Sequence, residues 1–205
     1  MHTPMKIWEL RCASINDYSP AVSLDSSDLL AGLFRVNGKP LHWGKVPRIG
    51  FEDRSRRKQK QPPADVSIMV PAALVLNARA HKVLSPFLSR FGQLLELHSE
   101  TGLDPRYFYN EAEPGTRYFY NVTNMVPCVD VEHSERNDLG RIVSEVLDTS
   151  NVPKEATVFK DPATAKFRIY INDAGKAVVD ELIASAGLTG ITCAPLDPMT
   201  PGRKW

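Results

Sequence analysis

The sequence is short of the residues that build most catalytic and metal centres. It has three cysteines in 205 residues, Cys12, Cys128 and Cys193, and no two of them form a C-x-x-C pair. A structural zinc site or a dithiol redox motif needs that close spacing. Distant, odd-numbered thiols are expected to stay reduced, which fits a cytoplasmic chain. The five histidines, His2, His42, His81, His98 and His133, are scattered, and no H-E-x-x-H pair occurs. Nucleophile elbow, P-loop and dinucleotide fingerprint are missing as well, so no enzymatic activity and no cofactor are expected. No stretch approaches the roughly 18 apolar residues of a membrane span. The start, Met1 to Lys6, has no apolar run behind a basic residue, so neither a signal peptide nor a membrane partner is expected. A dominant charge is lacking too. The formal net charge is +1, which gives no global pull towards nucleic acid.

What is present centres on a repeated pentapeptide. Arg-Tyr-Phe-Tyr-Asn stands at residues 106–110 and again at 117–121. Consecutive aromatics favour strands, where large rings suit a pleated, half-buried surface. Pro114-Gly115 between the copies is a turn signal. Two strands joined by an acidic loop are expected, antiparallel if they pair. Alternation sets Phe108 and Phe119 on one face, and Tyr107, Tyr109, Tyr118 and Tyr120 on the other.

The remaining pattern reads as short strands around two main helices. Residues 5–12 read as a strand. Asp25 to Asp28 is a capping pattern before a short helical turn, and residues 45–63 read as the least structured region. Asn77 is a good N-cap for an amphipathic helix carrying Ala80, Val83, Leu84, Phe87, Leu88 and Phe91. Pro86 is expected to kink or break it near Ser85, with Gly92 as the C′ residue. Strands are expected at 94–98, 128–132, 141–148, 157–160 and 166–172. In the last, Phe167, Ile169 and Ile171 would share a face. A short helix suits 141–148 nearly as well. Asn172 or Asp173 caps a helix over 174–186 that Gly187 ends, and 190–196 is a final strand. The class is α+β: a mixed, largely antiparallel sheet, two main helices and a less regular N-terminal part. Residues 1–64 would form an N-terminal strand and loop lobe packed on residues 65–205, in one continuous globule.

Charge is uneven along the chain. Residues 1–95 carry a net +7 and residues 96–148 a net −7. The basic part includes Arg54, Arg56, Arg57, Lys58 and Lys60. Such a cluster can bind phosphates, which keeps a nucleic-acid accessory role as an alternative. It lacks interleaved aromatics for base stacking, so a solvated loop is the preferred reading. In the acidic part, Asp130, Glu132 and His133 form the most metal-like group. Asp130 and Glu132 would share one strand face, with His133 opposite. A metal-dependent hydrolase or nuclease could use them, with His98 or Asp138 as further ligands. Nothing in the spacing demands it.

The order of the pieces carries a resemblance. Residues 73–80 (ALVLNARA), 91–97 (FGQLLEL), 115–123 (GTRYFYNVT), 129–134 (VDVEHS), 156–160 (ATVFK) and 187–196 (GLTGITCAPL) follow one another over roughly residues 65–196. Together they resemble a bacterial immunity-protein domain of polymorphic toxin systems, whose motif is an aromatic strand of the form Y-Y-x-x-N-V. The resemblance implies a non-enzymatic protein that binds and neutralises a cognate toxin or effector. The doubled RYFYN, Pro86 and the basic residues 54–60 depart from the family pattern. The acidic middle is then the expected docking surface. Its candidate residues are Tyr107, Tyr109, Glu111, Glu113, Asp130, Glu132, Glu135 and Asp138. Nucleic acid and membrane are not expected partners.

Overall fold

The computed structural model describes residues 5–13, 17–52, 61–100 and 115–196. In chain order the elements are β1 (Ile7–Cys12), β2 (Ala21–Ser23), α1 (Ser26–Leu30), β3 (Arg48–Phe51), β4 (Val66–Ser67), β5 (Leu74–Leu76), α2 (Ala78–Leu88), β6 (Gly92–Ser99) and β7 (Gly115–Val122). They continue with β8 (Val129–Arg136), β9 (Ile142–Leu147), β10 (Val158–Phe159), β11 (Tyr170–Asn172), α3 (Asp173–Ala186) and β12 (Ile191–Ala194). The fold is α+β, and the strands of the described residues form three sheets. One has the order β10-β11-β1-β12, a second β2-β3-β6-β7-β5-β4, and the third is the β8–β9 hairpin. All the pairings are antiparallel except β3 with β6. Strands from either side of residue 64 therefore share both larger sheets.

The second aromatic pentapeptide is the centre of the six-stranded sheet. Tyr118 and Tyr120 point to one face and Phe119 to the other, as alternation dictates. Tyr120 joins the core formed with Leu74, Leu76, Leu84, Leu88, Ile171 and Val179, between the two larger sheets and the helices. Phe119 enters a second core with Phe34, Ile49, Val75 and Leu97. Both rings are fully buried, and each such side chain contributes roughly 1.5–3 kcal/mol. Residues 118–120 have β5 on one edge and β6 on the other. The expected hairpin partner, residues 106–110, lies outside the described residues, as do Tyr107, Tyr109, Glu111, Glu113 and the basic residues 54–60.

Local signals set the helix ends. Asn77 Oδ1 accepts the Ala80 N–H at 2.8 Å, and Asn172 Oδ1 accepts that of Gly175 at 2.8 Å. Both satisfy a donor the helix itself cannot. Gly187 ends α3 in the left-handed region at φ 59°. α2 runs past Ser85 through Pro86 to Leu88. The proline falls in its last turn, where only a short stretch of ladder is left to disturb.

Several expectations change in the folded chain. Gly92 is no C′ residue, since Ser89 caps α2 and Gly92 opens β6. A Cβ at Gly92 would lie 2.3 Å from the Asn121 carbonyl oxygen. Glycine is there for close approach of two strands. Gly92→Ala should cost about 1–3 kcal/mol by overpacking, read as a lower urea midpoint; an unchanged midpoint would show that the strands part easily. Within 45–63, Arg48 to Phe51 is strand β3, held by β2 and β6. Residues 74–76, just before the expected Asn77 cap, are β5. Only residues 170–172 of the expected strand 166–172 are extended. Thr164 accepts the N–H groups of Phe167 and Arg168, which curls that segment and leaves Phe167 40% exposed, away from Ile169 and Ile171.

The irregular N-terminal part is seated by side-chain amides. Gln93 Oε1 accepts the Leu41 N–H at 2.8 Å, and its Nε2 donates back to the Leu41 carbonyl at 3.1 Å. Asn121 Nδ2 donates to the Lys39 carbonyl at 2.9 Å. Asn121-Val122-Thr123 has the N-x-T form of a glycosylation sequon, but Asn121 is fully buried and so not open to solvent in the folded chain.

Candidate partner interface

The sequence-predicted acidic residues that the structure describes come together on the β8–β9 hairpin. Asp130, Glu132 and Glu135 lie on β8, and Asp138 is in the turn before β9. Asn137 builds that turn. Its Oδ1 accepts the N–H groups of Leu139 and Arg141, at 3.1 and 3.0 Å. Gly140 takes the left-handed region there at φ 71°, which glycine tolerates best. The expected strand over 128–132 is therefore longer, because β8 continues to Arg136.

The base of the hairpin is fixed to the body. Asp161 Oδ2 accepts the N–H groups of Cys128 and Val129, at 2.7 and 2.9 Å. Val129 and Leu147 pack on a third core of Ile7, Val126, Cys128, Val152, Phe159 and Tyr170. Glu145 points inward: its Oε1 is 2.5 Å from Arg168 Nε and accepts the Tyr170 hydroxyl at 3.0 Å. Arg168 Nη1 also donates to Glu9 Oε2 at 2.6 Å. This buried network was invisible in the sequence, since Glu9 and Arg168 are 159 positions apart.

The far part of the hairpin faces solvent. Glu132, Glu135, Asp138, Arg136 and Arg141 are exposed. Leu139 is 77% exposed, Val146 45% and Val131 39%. Acidic groups thus surround scattered apolar side chains, a composition suited to a protein contact with a charged rim.

The metal-like group does not have the geometry its alternation suggested. Asp130 pairs with Val146 but Glu135 pairs with Ser144, so β8 holds extra residues as a bulge. Within the bulge Asp130 Oδ1 accepts the N–H groups of Glu132 and His133, both at 3.1 Å. His133 Nδ1 is 2.7 Å from Asp130 Oδ2. His133 therefore sits beside Asp130, not opposite it. The His133 ring, then the His133 N–H, hold the Asp130 carboxyl below its ordinary pKa. Among the described residues no group of three His, Cys, Asp or Glu side chains is placed to hold a metal ion. His98 belongs to β6, in another sheet. Cys128 is buried, and burial first, then Asp161, Glu145 and Asp148, push its thiol up to about 12. Such a thiol is a poor nucleophile.

Among the described residues no helix is long and apolar enough to cross a membrane. Neither protein-family models nor curated proteins give a match to this chain.

Proposed function

We propose that this chain is a non-enzymatic binding protein of the immunity type, which holds a cognate toxin encoded beside it and blocks the toxin's active site or access to it. The observation that supports the reading best is the β8–β9 hairpin. It is anchored at its base by Asp161, Glu145 and Arg168, and it offers Glu132, Glu135 and Asp138 beside exposed Val131, Leu139 and Val146. The motif order of the sequence supplies the partner class. A toxin acting on nucleic acid or nucleotides needs a basic cleft, and an acidic surface steers association with it.

The test is a triple charge reversal, Glu132→Lys, Glu135→Lys and Asp138→Lys, titrated by calorimetry against the toxin of the neighbouring gene at two salt concentrations. Affinity should fall by about tenfold or more, and its salt dependence should flatten. The melting temperature should move little, because all three side chains are exposed. Unchanged affinity at both salt concentrations would overturn the reading.

A further inference from the structure

Residues 33–43 form a loop whose two ends are pinned together. Trp43 Nε1 donates to the Leu33 carbonyl at 3.0 Å. The Phe34 and Trp43 rings lie 5.6 Å apart, and both pack on Phe119, at 5.5 and 5.8 Å. Residues 36–41, between the ends, are held by side chains of the body. Gln93 bonds Leu41 in both directions, Asn121 Nδ2 donates to the Lys39 carbonyl, and Lys160 Nζ donates to the Val36 carbonyl at 3.0 Å. Gln93 and Asn121 belong to the six-stranded sheet, whereas Lys160 follows β10 of the four-stranded one. Gly38, at φ 82°, lets the stretch lie flat on Met125, whose sulfur a Cβ there would overlap.

Two polar groups under this stretch are poorly satisfied. Asn121 is fully buried, and its Oδ1 has no hydrogen-bond partner among the described residues. Lys160 is fully buried as well, and among the described residues the Val36 carbonyl is its one acceptor. An ammonium has three N–H donors to place, so the closed stretch suits the neutral amine. The charged and titratable groups of the surrounding elements supply no counter-charge. On the loop, Arg35, Lys39 and His42 are exposed. On β7, Arg117 lies over the Phe51 ring. Burial first keeps the Cys128 thiol protonated up to about 12. Asp161, next along the chain, gives its carboxylate to the N–H groups of Cys128, Val129 and Ala163.

We infer that residues 36–41 are a proton-sensitive latch: the stretch lifts on its pinned ends as Lys160 takes up a proton, and water then reaches the amine and Asn121 Oδ1. This holds whatever partner the chain binds. Lifting relieves both polar groups, while the Phe34, Trp43 and Phe119 rings stay packed, so the opening is local and not global. Burial leaves the closed amine without a proton above about 7, whereas the open one keeps its proton up to the ordinary 10.5. Opening therefore grows about tenfold with each pH unit of descent through that window and is level below it.

The test is amide hydrogen exchange by NMR on the full chain at several pH values, with each rate expressed as protection relative to an unstructured peptide. The Leu41 N–H, which donates to Gln93, reports the latch, and the amides of β7 report global unfolding. Leu41 should be much less protected than β7. Its protection should rise about tenfold per pH unit above pH 7. In Lys160→Met it should no longer depend on pH. Protection of Leu41 without a pH slope in the native chain would overturn the latch. So would a slope that persists in Lys160→Met, or protection as high as that of β7. If Lys160→Met does not fold, Gln93→Ala loosens the tether without touching the amine. It should lower Leu41 protection and keep the slope; unchanged protection or a lost slope would overturn the latch equally.

Discussion

Arg168→Ala is expected to cost about 3–5 kcal/mol, the range for removing one partner of a buried ion pair. Arg168 is 4% exposed in its side chain, and it lies against Glu9 at 2.6 Å and Glu145 at 2.5 Å. Glu9 keeps a second, longer contact with Arg11 at 3.5 Å. Among the described residues Glu145, 3% exposed, would keep only the hydroxyl of Tyr170, which is in turn bonded to Thr164 at 2.7 Å. An uncompensated carboxylate there loosens the attachment of β9 to the body. Urea unfolding should show the loss, and hydrogen exchange should quicken first in residues 142–147. The double variant Arg168→Met with Glu145→Leu should recover part of the stability, because it removes the Arg168–Glu145 pair together and leaves Glu9 its contact with Arg11. If the double variant were as unstable as the single one, packing and not orphaned charge would be the cause.

A second large effect is expected at Lys160. This lysine is fully buried, and its Nζ donates to the Val36 carbonyl at 3.0 Å. Burial lowers its pKa from the ordinary 10.5 to about 7. The unfolded chain therefore holds a proton that the folded chain lacks between these two values. Stability should rise with pH through that window, and the penalty is fully present below about 7. Lys160→Met removes the penalty and also the bond to Val36, whose carbonyl is left without that donor. The net gain below pH 7 should be on the order of 2 kcal/mol, the desolvation relief less the lost bond. Above pH 10 the gain should vanish or reverse. Urea midpoints measured across this range decide the matter. A native chain with no pH slope between 7 and 10 that Lys160→Met removes would refute the buried-amine description.

What the sequence showed and what it hid follow from the range of the interactions. Caps were legible because their partners are close in sequence: Asn77 with Ala80, Asn172 with Gly175, Gly187 with the end of α3. The faces of Tyr118, Phe119 and Tyr120 were legible because alternation is local. Short strands such as β4 and β5 were not, since two or three apolar residues carry no period. They are strands because of distant partners, as Leu74 is paired with Tyr120. Lys160 closes an apparently ordinary strand end in the sequence, and only the fold buries it beneath Val36. Asp130 and His133 were assigned to opposite faces because alternation cannot foresee a bulge. Glu145 reads as a surface acid, and the arginine that draws it inward is 23 positions away along a curled segment.

The most direct measurement of the proposed binding surface is hydrogen exchange by mass spectrometry on the chain alone and in complex with the proposed partner, a toxin of the neighbouring gene. Strong protection over residues 129–148, with Asp138 and Leu139 inside the footprint, is the expected result. Protection confined to other surfaces, with the hairpin exchanging equally fast in both states, would contradict the proposal that β8–β9 holds the toxin.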